Sequence, residues 1–362
     1  MHKADLRLVF WETTAACNLT CRHCRRIELA QDPAQLTTAE ASRIIGEIAA
    51  VTKSQPAAGP EGMPTILVFS GGEPLMRPDI WELAGIARGQ GLAIALATNG
   101  TMVDATVAAR IREAGFQRVS ISLDGCDAAT HDAFRGLPGS FESACAGLRH
   151  LKAAGVATQV NCTVARHNRD QLPAMHALAL ELGSEALHLF VVVPVGCGVE
   201  LGEKDRLSAE EIESVLTWLA GQARDERLFV KATCAPQYYR IARQMAPGAM
   251  KAHAHGGHAG MNAMTRGCLA GSSVCFISHR GEVFPCGYFP VSCGDLRKQT
   301  FADVWSNSTV FGELRDPKQL TGACGSCGFK GVCGGCRARA YAVSGDYLAE
   351  EPDCVWNRPS PA

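Results

Sequence analysis

Three cysteines lie close together near the start of the chain. Cys17, Cys21 and Cys24 fall within eight residues in the stretch ETTAACNLTCRHC, after the apolar run LRLVFWE. Such a triplet is typical of one face of a cubane iron–sulfur cluster, whereas zinc sites usually take two ligand pairs from separated segments. The triplet therefore predicts a [4Fe–4S] cluster in which one iron has no protein ligand. A zinc loop with a distant fourth ligand is the alternative.

A second motif, SGGEP, ends the next apolar run, TILVFS. Gly71 and Gly72 allow the backbone to approach a ligand closely, and Pro74 fixes the turn. Glu73 offers an acceptor for an ammonium group. A plain strand-to-helix turn would use a similar glycine pair.

A cysteine triplet after one strand and GGEP after the next resemble the radical S-adenosylmethionine superfamily. The resemblance implies that Cys17, Cys21 and Cys24 hold the cluster, and that S-adenosyl-L-methionine chelates the fourth iron. Cleavage of this cofactor would give a 5′-deoxyadenosyl radical, which takes a hydrogen atom from the substrate. The cofactor contacts implied by position are Gly71, Gly72, Glu73, Pro74, Thr98, Asn99, Ser122, Asp124 and Arg135.

One more residue is placed by the resemblance, and two of the contacts above have another reading. His23 stands where the family often has an aromatic residue beside the adenine. Asp124 could instead cap the next helix, and Arg135 could be a solvated surface charge.

The C-terminal cysteines form a second system. They are Cys268, Cys275, Cys286, Cys324, Cys327, Cys333, Cys336 and Cys354. A zinc ribbon is one reading of such CxxC pairs. Their order resembles the auxiliary-cluster domain called SPASM, which binds one or two further [4Fe–4S] clusters. The resemblance implies one site of Cys324, Cys327, Cys333 and Cys354, and another of Cys268, Cys286 and Cys336 with Cys275 as fourth ligand. Only two residues, Gly334 and Gly335, stand where the family usually has three.

The elements that must position these residues alternate between strand and helix. Six strand-like runs, at 6–12, 65–70, 92–99, 118–124, 157–164 and 186–193, are separated by helical patterns. This alternation predicts an α/β fold, a partial (β/α)6 barrel with its polar motifs at the carboxyl ends of the strands. We expect the barrel at 1–225, a connecting segment at 226–264 and a small, irregular iron–sulfur domain at 265–362.

Composition limits the possible partners and location. The 362-residue chain carries a net charge of -1, which gives no support for nucleic acid as a partner. Its longest apolar run, LHLFVVVPV, is too short for a membrane span. The 17 cysteines occur in ligand-like clusters in a chain without a leader pattern. We therefore expect a cytoplasmic protein whose clustered thiols bind metal.

The resemblance extends to one branch of the superfamily. Segments such as VCFISHRGEVFPCGYFPV are similar to those of tetrapyrrole-modifying enzymes, above all heme synthases. This implies iron-coproporphyrin III as substrate, two propionates decarboxylated oxidatively to vinyl groups, and an electron donor such as flavodoxin or ferredoxin. The sibling enzymes of heme d1 biosynthesis and didecarboxysiroheme deacetylation, and peptide-modifying maturases, are alternatives. A non-catalytic electron carrier would not need GGEP.

Two further groups of residues are candidates for binding. Arginines should hold the propionates that do not react, and the candidates are Arg25, Arg26, Arg337 and Arg339. The histidines of a Gly/Ala-rich stretch, His253, His255 and His258, are either metal ligands or solvated loop residues.

Overall fold

A computed structural model gives the architecture. It describes residues 5–26, 30, 32–55, 64–202, 204–245 and 267–356. The ten strands are β1 (Leu8–Glu12), β2 (Ile66–Ser70), β3 (Ala93–Thr98), β4 (Arg118–Ser122), β5 (Thr158–Val164), β6 (Ala186–Val191), β7 (Phe229–Thr233), β8 (Val274–Ile277), β9 (Glu282–Phe284) and β10 (Gly294–Asp295). They form one sheet in the order β10-β9-β8-β1-β2-β3-β4-β5-β6-β7.

Twelve α-helices accompany the strands in the part of the chain that the structure describes. They are α1 (Thr38–Ser54), α2 (Ile80–Gly89), α3 (Ala105–Ala114), α4 (Ala128–Arg135), α5 (Ser140–Ala153), α6 (Leu172–Glu181), α7 (Ala209–Gln222), α8 (Gln237–Met245), α9 (Phe301–Asn307), α10 (Thr309–Leu314), α11 (Gly322–Ser326) and α12 (Arg337–Ser344). None of these helices is long and apolar enough to cross a membrane.

The predicted partial barrel is confirmed, and the structure adds to it. All neighbouring strands from β1 to β7 are parallel. The seventh strand and α8 lie in the segment that we expected to be a connection. That expectation missed β7 because FVKAT is short and carries a lysine, so its apolar pattern is weak.

The C-terminal region shares its sheet with the barrel. β8 pairs with β1 in parallel, with Leu8 opposite Val274, and β9 and β10 continue the sheet as antiparallel strands. The boundary predicted at residue 265 therefore does not divide the sheet. The His253, His255 and His258 prediction lies outside the described residues.

The two faces of the barrel strands differ in chemistry because side chains alternate across a strand. One face packs against the helices and supplies the main core, with residues such as Val9, Leu67 and Leu96 almost fully buried. Two helices that cover it begin with capping boxes, Thr37–Glu40 for α1 and Ser208–Glu211 for α7. The opposite face lines the barrel interior.

A buried arginine joins the C-terminal helix α12 to the barrel. The Arg339 side chain is 0% exposed and forms ion pairs with Glu351 and Asp353, each at 3.1 Å. Its guanidinium also donates to the carbonyl oxygens of Cys234 (2.9 Å) and Val192 (3.2 Å). This role is structural, so the expectation that Arg339 holds a substrate propionate does not fit its contacts.

We predict that Arg339→Met destabilises the protein strongly. The substitution leaves the Glu351 carboxylate buried without its cation, which typically costs about 3–5 kcal/mol of unfolding free energy. Denaturant titration under anaerobic conditions measures the change. Arg227→Met is the control, because Arg227 is exposed and pairs with the neighbouring Asp225. Equal stability of the two variants would contradict the structural role of Arg339.

Candidate functional site

The cysteine triplet lies on a loop that follows β1 and is fastened to the loop after β2. Gly72 donates its N–H to the Thr14 carbonyl (2.9 Å), and Glu73 donates to the Ala16 carbonyl (2.7 Å). A Cβ on Gly72 would stand under 3.0 Å from the carbonyl oxygens of Ala15 and Ala16. Only glycine allows this approach. The GG of GGEP therefore shapes the cysteine loop directly.

Two further glycines, which the sequence reasoning did not select, hold the other side of the same loop. A Cβ on Gly136, after α4, would clash with Thr20, and one on Gly196, after β6, would clash with the Arg25 carbonyl. Both glycines have positive φ, 73° and 56°. Next to Gly196, the Cys197 N–H donates to the Cys24 carbonyl (2.8 Å). Gly136 and Gly196 follow elements that are far from the cysteine loop in the sequence, so no local motif indicated their role.

The three thiols are close enough to influence one another electrostatically. Burial, with smaller contributions from Glu73, Cys21 and Cys24, raises the pKa of Cys17 to about 11. Burial also raises the pKa of Cys21, although the Arg135 guanidinium opposes the shift. Thiolates in such surroundings need a cationic metal centre to stabilise them.

Within the described ranges, no group of three or more His, Cys, Asp or Glu side chains is close enough to hold one metal ion. A mononuclear zinc site brings its thiolates within about 2.3 Å of one centre, whereas a cubane spreads them over separate irons.

Glu73 links the SGGEP loop to the end of β3. Its carboxylate accepts hydrogen bonds from the Asn99 N–H (2.8 Å), the Thr98 hydroxyl (2.8 Å) and the Leu75 N–H (3.1 Å). Burial raises the pKa of this fully buried group. Pro74 opens the short 3₁₀ turn that follows. Three acceptor positions are thus occupied within the protein, and one lone-pair direction is left for a ligand.

Asn99 continues this network to the cysteine loop. Its side-chain amide donates to Asn18 Oδ1 at 2.8 Å, and its own Oδ1 accepts from the Thr101 N–H and hydroxyl. Asn18 lies directly after Cys17. The ends of β2 and β3 therefore meet the cysteine loop at one place.

Asp124, Arg135 and His23 form a buried group on the other side of the triplet. Arg135 Nε lies 2.7 Å from Asp124 Oδ2, and its Nη1 lies 3.7 Å from Cys21 Sγ. The His23 ring stacks on Phe134 with centroids 4.5 Å apart. Burial lowers the pKa of His23 to about 4, so the ring is neutral. Arg135 is therefore not a surface charge. It already pairs with Asp124, so a cofactor carboxylate would have to share it. Ser122, at the end of β4, faces the barrel interior.

The first predicted auxiliary set surrounds a single cavity. Cys324, Cys327, Cys333 and Cys354 line a space of about 470 Å³, together with Arg240 and Trp356. One metal ion would leave most of this volume empty, whereas a polynuclear cluster would use it. The structure thus brings together the four cysteines that the resemblance grouped.

The second auxiliary set gathers a cysteine that the sequence reasoning missed. Cys234, Cys286 and Cys336 belong to one small cluster of packed side chains. A hydrogen bond between the Cys234 and Cys336 thiols raises the pKa of Cys234 and lowers that of Cys336. Cys268 lies near Cys336 and Cys286. Cys234 has φ 58°, a strained conformation for a residue other than glycine.

The structure does not bring Cys275 to this set. Cys275 is 0% exposed and belongs to β8, where its side chain is part of the main core. Cys293 packs against that core. The strand position of Cys275, opposite Val9, points it toward the helices. Cys234 escaped notice because it lies about 90 residues before the CxxC run, alone in the sequence TCAP.

The remaining arginine candidates have different surroundings. Arg337 is 3% exposed and donates to the carbonyls of Tyr347 (2.9 Å) and Ala349 (2.5 Å), so it is structural. Arg26 is also buried and pairs with Glu12 (3.2 Å). Arg25 pairs with Glu12 (2.7 Å) and lies over the Phe276 ring at 4.3 Å.

Comparisons with known proteins extend over nearly the whole chain. Residues 11–179 match the Radical SAM superfamily, and residues 268–328 match the iron-sulfur cluster-binding domain SPASM. The AdoMet-dependent heme synthase of Methanosarcina barkeri is 46% identical, covering 97% of this chain and 96% of its own. The protein of the same name from Oleidesulfovibrio alaskensis is 44% identical, covering 98% of this chain and 89% of its own.

Solved structures support the fold. Streptococcus suis SuiB bound to S-adenosylmethionine gives a TM-score of 0.70 at 14% identity, covering 97% of this chain and 76% of its own. Native anSMEcpe with bound AdoMet gives 0.69 at 18% identity, covering 96% and 94%. The sequence relatives are similar enough, over enough of both chains, to settle the family: this protein belongs to the radical S-adenosylmethionine superfamily and carries a C-terminal SPASM domain.

Proposed function

We propose that the protein converts iron-coproporphyrin III to protoheme by oxidative decarboxylation of two propionates to vinyl groups. The observation that carries the proposal is the 46% identity to an AdoMet-dependent heme synthase over 97% of the chain. Matches to a mycofactocin maturase and to a pre-heme d1 synthase are weaker, at 34% identity. Each reacting propionate loses carbon dioxide, one hydrogen atom from its β-carbon and one electron.

The N-terminal cysteines and the motifs around them would serve the cofactor. Bound together, the reduced cluster and S-adenosylmethionine supply the 5′-deoxyadenosyl radical for hydrogen abstraction. Cys17, Cys21 and Cys24 would hold the cluster at the carboxyl end of the barrel. The other predicted contacts are Gly71, Gly72, Glu73, Pro74, Thr98, Asn99, Ser122, Asp124 and Arg135.

Arg135 has a defined electrostatic role in this arrangement. Its guanidinium lies between the Asp124 carboxylate and the Cys21 sulfur. A cation beside a ligating thiolate stabilises the deprotonated form. The Asp124 carboxylate keeps Arg135 in place, since the buried pair leaves little room for another orientation.

The C-terminal cysteines would supply the acceptor for the surplus electron. Cys324, Cys327, Cys333 and Cys354 would hold one auxiliary cluster in the 470 Å³ cavity. We propose Cys234, in place of Cys275, as the fourth member of the set with Cys268, Cys286 and Cys336. A flavodoxin or ferredoxin in the cytoplasm would reduce the N-terminal cluster.

The first prediction from this proposal tests the substrate. Anaerobic incubation with S-adenosylmethionine, dithionite and iron-coproporphyrin III should give a monovinyl intermediate and then protoheme. Mass spectrometry identifies both products. With deuterium at the propionate β-carbons, label should appear in 5′-deoxyadenosine, one cofactor per vinyl. Didecarboxysiroheme, the control substrate, should not react. Turnover of didecarboxysiroheme instead would assign the protein to the deacetylase branch.

The second prediction concerns the N-terminal triplet. Replacing Cys17, Cys21 and Cys24 together by Ala should remove about four irons per chain, because one [4Fe–4S] cluster is lost. Formation of 5′-deoxyadenosine should cease. Cys145→Ala is the control. This variant should keep the full iron content of the protein, because Cys145 lies on the buried face of α5. Normal cofactor cleavage by the triple variant would refute the assignment.

The third prediction concerns the auxiliary sites. Cys327→Ala should still cleave S-adenosylmethionine, because that step belongs to the N-terminal site, but should form no vinyl groups. Cys234→Ala should lower the iron content, whereas Cys275→Ala should keep wild-type iron, because Cys275 belongs to the apolar core. Iron analysis and mass spectrometry give the readouts. Wild-type protoheme formation by Cys327→Ala would show that its site takes no part in turnover, and iron loss only in Cys275→Ala would restore the original ligand set.

A further inference from the structure

The interior face of the barrel has a polar half. Ser122, Asn161, His188 and Lys231 occupy one row across β4, β5, β6 and β7, each the register partner of the next. Register partners in parallel strands point to the same side of the sheet. The opposite face of these strands supplies the helix-packed core, so this row faces the barrel interior.

The other half of the interior is apolar. Phe10 on β1 and Phe276 on β8 are register partners, and their strands join the barrel to the C-terminal region. Arg25, which follows Cys24, covers the Phe276 ring. The interior thus combines an aromatic wall beneath the cysteine loop with a polar wall across from it.

Lys231 is a cation without a partner in this interior. Its side chain has no hydrogen bond or ion pair with any residue that the structure describes. The buried arginines of the barrel strands and loops, in contrast, are paired, such as Arg118 with Glu185 and Arg135 with Asp124. Burial lowers the pKa of Lys231. Lys231 is only half-buried and its Nζ stays accessible, so the ammonium group is open to an anion bound in the interior.

His188 adds a second unused donor next to it. Gln159 Nε2 lies 2.9 Å from His188 Nδ1 and also donates to Asn161 Oδ1 at 2.7 Å. An amide nitrogen is a donor, so Nδ1 accepts and the ring proton lies on Nε2. Burial and the nearby Lys231 and Arg118 charges lower the His188 pKa well below its usual value, so the ring is neutral. The buried Nε2 has no hydrogen-bond partner among the residues that the structure describes.

We infer that Lys231 and His188 bind a carboxylate of the substrate inside the barrel, with the apolar body of the substrate against Phe10 and Phe276. The inference rests on the proposed function, which it deepens by naming residues for one propionate. It also replaces the arginines that were candidates for holding a propionate, because Arg26, Arg337 and Arg339 are occupied by structural contacts. The ammonium group would supply charge, and the imidazole N–H a directed hydrogen bond.

The test is titration of the anaerobic holoenzyme with iron-coproporphyrin III, followed by its visible absorption. Lys231→Met should weaken binding by about ten- to hundredfold, the usual loss for a charge-assisted hydrogen bond. Affinity for the tetramethyl ester, which has no carboxylates, should be equal in the variant and the wild type. Lys231→Arg should recover part of the affinity, and S-adenosylmethionine binding should not change. Lys152→Met, on the exposed surface of α5, is the matched control.

A folding defect gives a different result. Methionine fills a similar volume without the unpaired charge, so Lys231→Met should melt at the same or a higher temperature with normal iron content. A lower melting temperature would show that Lys231 has a structural partner and would overturn the inference.

The binding results separate this inference from the proposed function. Wild-type affinity of Lys231→Met for iron-coproporphyrin III, in a protein that makes protoheme, would overturn the Lys231 site alone. Loss of S-adenosylmethionine binding instead would place the cofactor carboxylate there. A wild-type protein that neither binds nor converts iron-coproporphyrin III would overturn both.

Discussion

The close approach of two backbone segments is the constraint on which the N-terminal site depends. Gly72 meets the carbonyls of Ala15 and Ala16 at a separation that no side chain permits. The hydrogen bonds from Gly72 and Glu73 then fix the first half of the cysteine loop. Gly136 and Gly196 fix the second half from elsewhere in the barrel. A loop of small and polar residues has little core of its own, so its shape comes from these neighbours.

Glu12, at the end of β1, joins the cysteine loop to the C-terminal region. Burial raises the pKa of its carboxylate, but Arg25, His279 and Arg26 outweigh this and bring it down to about 2. His279 follows β8, and its ring lies 2.7 Å from Glu12. Since β8 also pairs with β1, the cysteine loop and the C-terminal region are attached to one sheet.

The barrel interior shows how one strand can serve two purposes. In β6, Leu187 and Leu189 pack against the helices, whereas His188 between them faces the interior. In β7, Val230 and Ala232 flank Lys231 in the same way. The stability of the fold depends on the residues that pack against the helices. The fold tolerates polar groups among the residues that face the interior. The interior can therefore carry an unpaired cation at positions that a packed core would exclude.

The sequence alone determined the features that depend on local spacing. The cysteine triplet, the SGGEP turn, the capping box of α1 and the alternation of strands and helices are all short-range patterns, and each lies where it was predicted. Such patterns survive in the sequence because the residues that interact are neighbours in the chain. The grouping of Cys324, Cys327, Cys333 and Cys354 around one cavity also follows the predicted order.

Only the tertiary structure decided which distant residues meet. Cys234 joins Cys336 because β7 ends beside α12, about 100 residues later in the chain, whereas Cys275 is carried by β8 into the core. The weak apolar pattern of β7 hid that strand, and with it the position of Lys231 in the interior. Arg337 and Arg339 looked available for a substrate, yet Arg337 donates to the Tyr347 carbonyl beyond the end of α12, and Arg339 pairs with Glu351 and donates to the Cys234 carbonyl from a distant part of the chain. Spacing along a sequence carries no record of such partners, because they are set by strand register and by packing.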